Sequence, residues 1–402
     1  VLSMTIERGK MDCISVIVPV YKGKQYIPQI IGMLEENISA ADGNLWVELI
    51  LVNDYAKEAL ELCNLPQHSN RLSIKIFVNA QNLGIHGSRA RGLRHARGEY
   101  VLFLDQDDRI SRLYVREQIR AIQERDAAVC NGKNKGALIY ETFEEQKKAL
   151  DMQTYLNGIN QIVSPGQVLL RKSAIPKLWT NNCLQNNGAD DYFLWILMLK
   201  AHCRIGMNEK ILYLHTATGE NTSDDWGQMY ASKEDMLVVL EEHKVLTTEE
   251  TGTLRERIRV LSGDGGIPEH IRKPYRRIEL YLNLMDCWMG NLEMGKSPDR
   301  YLRTNGVKTV AVYGLGMLGK HLVRELVQAQ IEVRCIIDRK KAGTFEGIKI
   351  VRQMDEQKDV DMVIVTPVLD YREIKRELCE RCSAEIVSLE TILYGIDDEL
   401  DS

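Results

Sequence analysis

The sequence predicts an α/β protein with two sheet-bearing parts and a helical stretch between them. Three features carry that expectation. Short Val/Ile/Leu runs alternate with amphipathic stretches over the first half of the chain. From Tyr230 to Thr304 the strand-like runs vanish and Leu-, Met-, Glu- and Arg-rich helical stretches take over. From Lys308 onward the alternation returns. Near-continuous apolar strands are buried on both faces, and with helices between them they imply a parallel sheet. The expected boundaries are 1–229, 230–305 and 306–402, and the 402 residues accommodate such a division.

Taken in order, the expected strands are Ile14 to Val18, Glu48 to Val52, Ile74 to Val78, Tyr100 to Leu104 and Ala127 to Cys130. Between them lie helix patterns at Tyr26 to Asn37, Ala56 to Cys63, Ser88 to Ala96 and Leu113 to Arg125. The middle stretch is broken by Ser262-Gly263-Asp264-Gly265-Gly266, Pro268 and Pro274. The last part begins with strand Val310 to Tyr313 and continues with a helix to Gln330, then strands Val333 to Ile337 and Met362 to Val365. Ligands of parallel α/β sheets bind at the carboxyl ends of the strands, so residues just after each apolar run are the site candidates.

Composition narrows the partners. A formal net charge of -5 gives no reason to expect nucleic acid. Nine scattered cysteines, without framework spacing, argue for a reducing cytoplasm rather than a disulfide scaffold. Cys379-Glu380-Arg381-Cys382 has no second pair and sits in a charged helical pattern. Val1 to Lys10 shows no secretory pattern, and no apolar window reaches the ~18–20 residues of a span. Membrane contact is then expected only from the surface, at the inner face. The basic run Arg272-Lys273-Pro274-Tyr275-Arg276-Arg277 reads as a solvated helix end or as a contact for anionic headgroups. The oligomeric state stays open.

The densest chemistry follows the fourth strand, at Asp105-Gln106-Asp107-Asp108. Close carboxylates repel, and a cation among them removes the conflict. Oxygen ligands suit Mg²⁺ or Mn²⁺, with substrate phosphates completing the shell. The competing reading is an acidic turn capping the next helix. Upstream, Asn82-Leu83-Gly84 and Arg89 offer close backbone approach and a guanidinium fork for phosphate.

Pro19-Val20-Tyr21 after the first strand, Val52-Asn53-Asp54 after the second, Asn82-x-Gly84 with Arg89, and Gly98-Glu99-Tyr100 leading into Asp105-x-Asp107-Asp108 resemble family 2 glycosyltransferases of the GT-A fold. The ordered resemblance runs from residue 12 to 225. It implies a nucleotide-diphospho-sugar transferase that takes a UDP-sugar donor and moves the sugar, with inversion, to a glycan or lipid-linked acceptor in cell-surface glycan synthesis. It implies that Pro19, Val20 and Tyr21 line the base pocket and that Asp54 reads the uracil edge. Asn82, Gly84 and Arg89 would lie near the nucleotide, with Gln106 between the two acids. Asp105 would lie near the ribose and Asp107 on the metal. Tyr55-Ala56 and Ala90 depart from the family pattern.

Asn187-Gly188-Ala189-Asp190-Asp191 stands where the family shows Glu-Asp before an apolar helix. The second acid, Asp191, is the expected general base for the acceptor hydroxyl, with Asp190 supporting it. Negative charge at a helix start is the plainer explanation. His215, after the strand-like Ile211 to Leu214, is expected on the metal or diphosphate, or as a structural residue.

Gly314-x-Gly316-x-x-Gly319 lies between strand and helix, with Asp338 at the end of the next strand. That context resembles Rossmann-like nucleotide-binding modules, in which Asp338 would hold a ribose. A bifunctional enzyme binding NAD or a nucleotide sugar there is one alternative, as is a docking module. A non-catalytic scaffold is the other.

Overall fold

The computed structural model describes residues 12–41, 45–61, 68–216, 218, 225–261, 269–353 and 360–396; the side chains of 226, 269–276 and 279 fall outside that description. The chain divides into two compact units, one comprising mainly 1–215 and 225–265 and the other mainly 266–398.

In the first unit the strands are β1 (Asp12–Val20), β2 (Leu45–Asn53), β3 (Leu72–Val78), β4 (Tyr100–Phe103), β5 (Arg109–Ile110), β6 (Ala127–Asn134), β7 (Ala137–Leu138), β8 (Val168–Arg171) and β9 (Ile205–His215). They form one sheet of order β3-β2-β1-β4-β8-β6-β9-β5, with β7 beside β6. The quartet β3-β2-β1-β4 is parallel, as the apolar runs imply. Beyond it the expectation of a parallel sheet fails. β8 inserts antiparallel between β4 and β6, so β6 does not neighbour β4. An antiparallel neighbour needs no helical crossover, so a four-residue strand can enter from the short turn capped by Ser164.

Helices α1 (Ile27–Ala40), α2 (Gly84–His95) and α3 (Tyr114–Ile122) follow three of the early strands. Short α4 (Phe143–Lys147), α5 (Met152–Leu156) and α6 (Lys177–Asn181) precede α7 (Asp190–Lys200). Alternate residues of β1 face opposite cores. Ile17 packs with Leu93, Trp179 and Phe193, whereas Val16 and Val18 pack with Ile30, Leu34 and Val115. The helix expected from Ala56 does not form over the described residues 56–61. Asn53 accepts from Tyr55 N and donates to the Glu58 carbonyl, and Glu58 N donates to Tyr55 O. Such side-chain bonds to nearby backbone stabilise a turn at the expense of a helix.

The helices between the two sheets divide. α8 (Trp226–Glu242) and α9 (Thr248–Leu261) belong with the first unit. α10 (Glu269–Glu293) and α11 (Pro298–Thr304) belong with the second. Residues 262–268 lie outside the described residues, as do the side chains of Arg272 through Arg276; Arg277 is exposed. α10 runs through Pro274 rather than breaking there.

The second unit has β10 (Thr309–Tyr313), α12 (Met317–Gln328), β11 (Glu332–Ile337), β12 (Gly343–Phe345), β13 (Ile348–Val351), β14 (Met362–Val365), α13 (Tyr371–Cys379), β15 (Glu385–Ser388) and α14 (Leu389–Gly395). Its sheet order is β12-β13-β11-β10-β14-β15, parallel except for the β12–β13 pair. α10, α12 and α14 cover one face and α13 the other. Among the described residues no helix is long and apolar enough to cross a membrane.

Gly98 is fixed by close approach. Its N–H donates to Ser15 Oγ, and a Cβ there would lie 2.5 Å from Ser15 N and 2.8 Å from Tyr100 O. Backbone cannot yield as a side-chain tip can, so Gly98→Ala should destabilise the protein by about 1–3 kcal/mol, read as a lower urea midpoint at unchanged slope.

Candidate active site

The acidic turn sits where β4 ends. Leu104 N donates to Ile17 O, and Asp108 N closes the turn onto Asp105 O. The three carboxylates then take different surroundings. Asp108 is fully buried; Tyr213 OH donates to its Oδ2, Ser164 Oγ lies 3.4 Å from the same oxygen, and His215 Nδ1 is 3.1 Å from its Oδ1. Asp108 thus braces the turn and orients His215. Asp107 receives no hydrogen bond from another side chain among the described residues. Burial and its neighbours Asp108 and Asp105 push its carboxyl up to about 7. For His215 burial opposes the charge, but Asp108 and then Asp107 and Asp105 outweigh it and raise the imidazole to about 9. Gln106 turns away from the acids. Its amide accepts from Tyr21 N and donates to Tyr21 O, like a strand partner, and lies where a Gly23 side chain would stand.

Arg89, on α2, joins this turn to the second acidic pair. Its guanidinium donates to Asp105 Oδ1 and, over 2.7 Å, to Asp190 Oδ2. The residue is 3% exposed, and its Nε has no partner. Expected beside a nucleotide, Arg89 instead spends its fork on two carboxylates. Burial works to raise the Asp190 carboxyl, but Arg89 outweighs it and the value is lowered. Asp105 shares the same guanidinium yet is raised, by burial first and then by Asp108 working against Arg89.

Asp191 follows in the first turn of α7. Its Oδ1 accepts from Tyr192 N and its Oδ2 from Asn160 Nδ2, at 2.7 and 2.9 Å. Burial and the adjacent Asp190 raise its carboxyl to about 7. α8 seats the segment leading into it. Asp235 Oδ2 accepts from Gln185 N and Asn186 N, and Ser232 Oγ accepts from Ala189 N. Gly188, at φ +123°, lies so close to Met229 that a Cβ would sit 2.2 Å from its sulfur. Lys233, next to Ser232 on α8, is half-buried and feels the Asp191 charge. Sequence patterning passed over Asn160 and Lys233. Neither belongs to a recognisable motif.

The ends of β1 and β2 form a second wall. Val20 is buried and its carbonyl accepts from Asp54 N, whereas Tyr21 is 45% exposed and meets Tyr55 edge-on at 5.4 Å. Lys22 lies over both rings. Pro19 is half-buried. Asp54 is fully engaged. Its Oδ1 accepts from Asn79 Nδ2 and Leu83 N, and its Oδ2 from Gly84 N. Asn82 Oδ1 also accepts from Gly84 N, and Asn187 Oδ1 accepts from Ile85 N. These acceptors occupy the N-terminus of α2, and position 84 takes glycine both for its φ of +73° and because a Cβ would meet Asn187 Oδ1 at 2.5 Å. His86 locks the next turn: Nε2 donates to Trp179 O and Nδ1 accepts from Leu184 N, which fixes the neutral tautomer. Its pKa is lowered by burial.

In the second unit each glycine of the loop has a different reason. Gly314 has φ +91°, Gly319 packs so tightly that a Cβ would lie 2.0 Å from Gly314 O, and Gly316 faces open space. Asp338 is engaged with the loop itself. Its Oδ2 accepts from Leu315 N, and its Oδ1 from Lys340 N and Lys341 N. Those main-chain donors outweigh burial and lower its carboxyl.

A divalent cation fits the donor set of the first unit. Asp107 is a hard oxygen donor crowded by like charge, which a cation would relieve. His215 turns its Nδ1 to Asp108, the usual way a carboxylate orients a metal-binding imidazole. Among the described residues no three His, Cys, Asp or Glu side chains form a complete ligand group, so phosphate oxygens and water would have to fill the shell.

Residues 15–179 match the family model described as glycosyl transferase family 2, and residues 306–386 match C2185-like, N-terminal. Over residues 15–179 the chain is similar to glycosyl transferase family 2; Asp190, Asp191 and His215 lie beyond the matched stretch. Glycosyltransferase GlyA of Streptococcus pneumoniae is 30% identical over 138 residues, covering 34% of this chain and 18% of that protein. The putative glycosyltransferase EpsH of Bacillus subtilis is 29% identical over 156 residues, 36% of this chain and 43% of that protein. This chain thus spans less than half the length of either relative. A solved structure of S. aureus TarS 1-349 in complex with UDP-GlcNAc aligns at 19% identity and TM-score 0.47, over 63% of this chain and 74% of that one.

Arg89→Met should leave the buried Asp190 and the half-buried Asp105 without their cation and cost about 3 kcal/mol in urea denaturation. Asp191 behaves in the opposite sense. Its folded value, about 7, lies above that of the unfolded chain, so the native state holds the proton more tightly and loses stability as pH rises. Asp191→Asn should therefore be more stable than the native protein at pH 8. That gain should shrink as pH falls toward about 4, the ordinary aspartate value.

Proposed function

We propose that the first unit transfers a sugar from a UDP-sugar to an acceptor hydroxyl with inversion, in the assembly of a cell-surface glycan. The observation that carries this reading is the Arg89 bridge, which brings a carboxylate turn suited to a diphosphate-bound cation beside a second acidic pair with a raised carboxyl. The family match over residues 15–179 and the names of the relatives support the class of reaction.

The residues take the following tasks. Tyr21, backed by Pro19 and Tyr55, offers an exposed aromatic face for the base. Asp54 keeps the loop through Asn82 and Gly84 against the strand ends and so shapes the nucleoside pocket. Gln106 holds the Tyr21 main chain. Asp105, fixed by Arg89, faces the ribose side. Asp107 and His215 would hold Mg²⁺ or Mn²⁺, which when bound supplies charge neutralisation for the departing diphosphate. Asp191 takes the proton of the attacking acceptor hydroxyl, for which a carboxyl raised to about 7 is well matched. Asp190, tied to Arg89, holds the first turn of α7 in place.

UDP release from a panel of UDP-sugars should require Mn²⁺ or Mg²⁺, stop on chelation and return on re-addition. Asp191→Asn should lower it at least ~100-fold, the weight of one general base; full activity in that variant would refute the assignment. Because the base must be ionised, kcat/KM should rise through a limb near pH 7 and level off above it. Proton NMR of the first-formed product should show the anomeric configuration opposite to that of the donor.

A further inference from the structure

Two polar groups beside Asp191 have no part in the reaction as described. Asn160 uses its Nδ2 on Asp191 Oδ2, while its Oδ1 is buried without a hydrogen-bond partner. A buried amide oxygen left in this state is a site that a ligand donor can complete. Lys233 is half-buried on α8 and forms no ion pair among the described residues. Its neighbour Ser232 holds Ala189 N, two residues before Asp191, so the backbone that carries Lys233 is fixed against the backbone that carries the base. Burial disfavours the ammonium charge and Asp191 sustains it. Asp191 is raised mainly by burial and Asp190, so this lysine does not neutralise the base. Asp190 and Arg89 act most strongly on Asp191, Lys233 and the phenols of Tyr155 and Tyr192 also interact with its charge, and Asn160 and Tyr192 N are its hydrogen-bond donors.

We propose that Asn160, Asp191 and Lys233 form the acceptor subsite, and that it selects a hydroxyl-bearing acceptor with an anionic group, phosphate or carboxylate. Asp191 receives the attacking hydroxyl, Asn160 Oδ1 accepts from a neighbouring hydroxyl, and Lys233 pairs with the anion. This rests on the reading of Asp191 as the base. A lysine is a compact charge on a flexible stem, suited to an anion whose position varies with the acceptor. Asn160 is a positioning residue as well, because its amide favours the ionised form of Asp191.

The test uses the full chain with saturating UDP, so that the donor site is filled, and titrates glucose, glucose 6-phosphate and glucuronate by calorimetry. At least one anionic sugar should bind tenfold or more tighter than glucose; which one does so separates phosphate from carboxylate. Lys233→Gln should abolish the preference and Lys233→Arg should keep most of it, with UDP affinity and melting temperature unchanged in both. Asn160→Ala should weaken all three sugars alike and move the acid limb of kcat/KM to higher pH, a shift that a merely structural role would not cause. Equal binding of the three sugars, no sugar binding at all, or an intact preference in Lys233→Gln would each overturn the proposal. Failure of UDP to bind would count against the donor reading alone, because the anion preference can be read without nucleotide.

Discussion

The first unit is organised by a single buried cation. Arg89 reaches from α2 to the end of β4 on one side and to the start of α7 on the other. A guanidinium cannot shed its charge, so burial of Arg89 requires carboxylates, and Asp105 and Asp190 supply them. The cost of burying Arg89 and Asp190 is offset only while the paired charges are all present. Two chain segments remote in sequence are thereby held in one arrangement. The pair has little freedom to respond to a ligand, which suits a preorganised site.

Each acidic pair is also divided by that cation. Asp190 is stabilised as an anion by Arg89, while Asp191, one residue on, is left with burial and a charged neighbour and is raised. At the other end Asp105 meets Arg89, Asp108 meets Tyr213 and His215, and Asp107 is raised by burial and its acidic neighbours, which outweigh His215. Pairs of titratable groups pushed apart by their surroundings mark different tasks. Here the structural carboxylates are those paired with Arg89 or with Tyr213 and His215, and the reactive candidates are the two whose carboxyls are raised to about 7.

The second unit shows the same economy in a simpler form. Its glycine loop needs Gly314 for the turn and Gly319 for close packing, and Asp338 ties the loop to the end of β11 through main-chain N–H groups. The residue that a nucleotide-binding reading assigns to a ribose is thus already occupied in holding the loop.

Much of the fold was legible in the chain because it rests on local periodicity. The apolar runs of β1, β2, β4, β10, β11 and β14 and the helical stretch that separates the two sheets in sequence follow from spacing and side-chain type. Asp105 and Asp107 stood out because acids directly after an apolar run are conspicuous, and Asp190 and Asp191 because they open an apolar helix. What sequence could not supply was pairing. It did not show that β8 would enter antiparallel beside β4, or that Asn53 would turn residues 53–58 away from a helix. Nor did it show that Arg89 would face carboxylates rather than phosphate, or that Asn160 and Lys233 would arrive beside Asp191. Such contacts join positions tens of residues apart, and one side chain is chosen over another by burial and by the geometry of its donors. Composition and period determined the layers and the candidate acids. Only the folded chain decided which of those acids would be neutralised by neighbours and which would be left for chemistry, because that division depends on distances that no local pattern encodes.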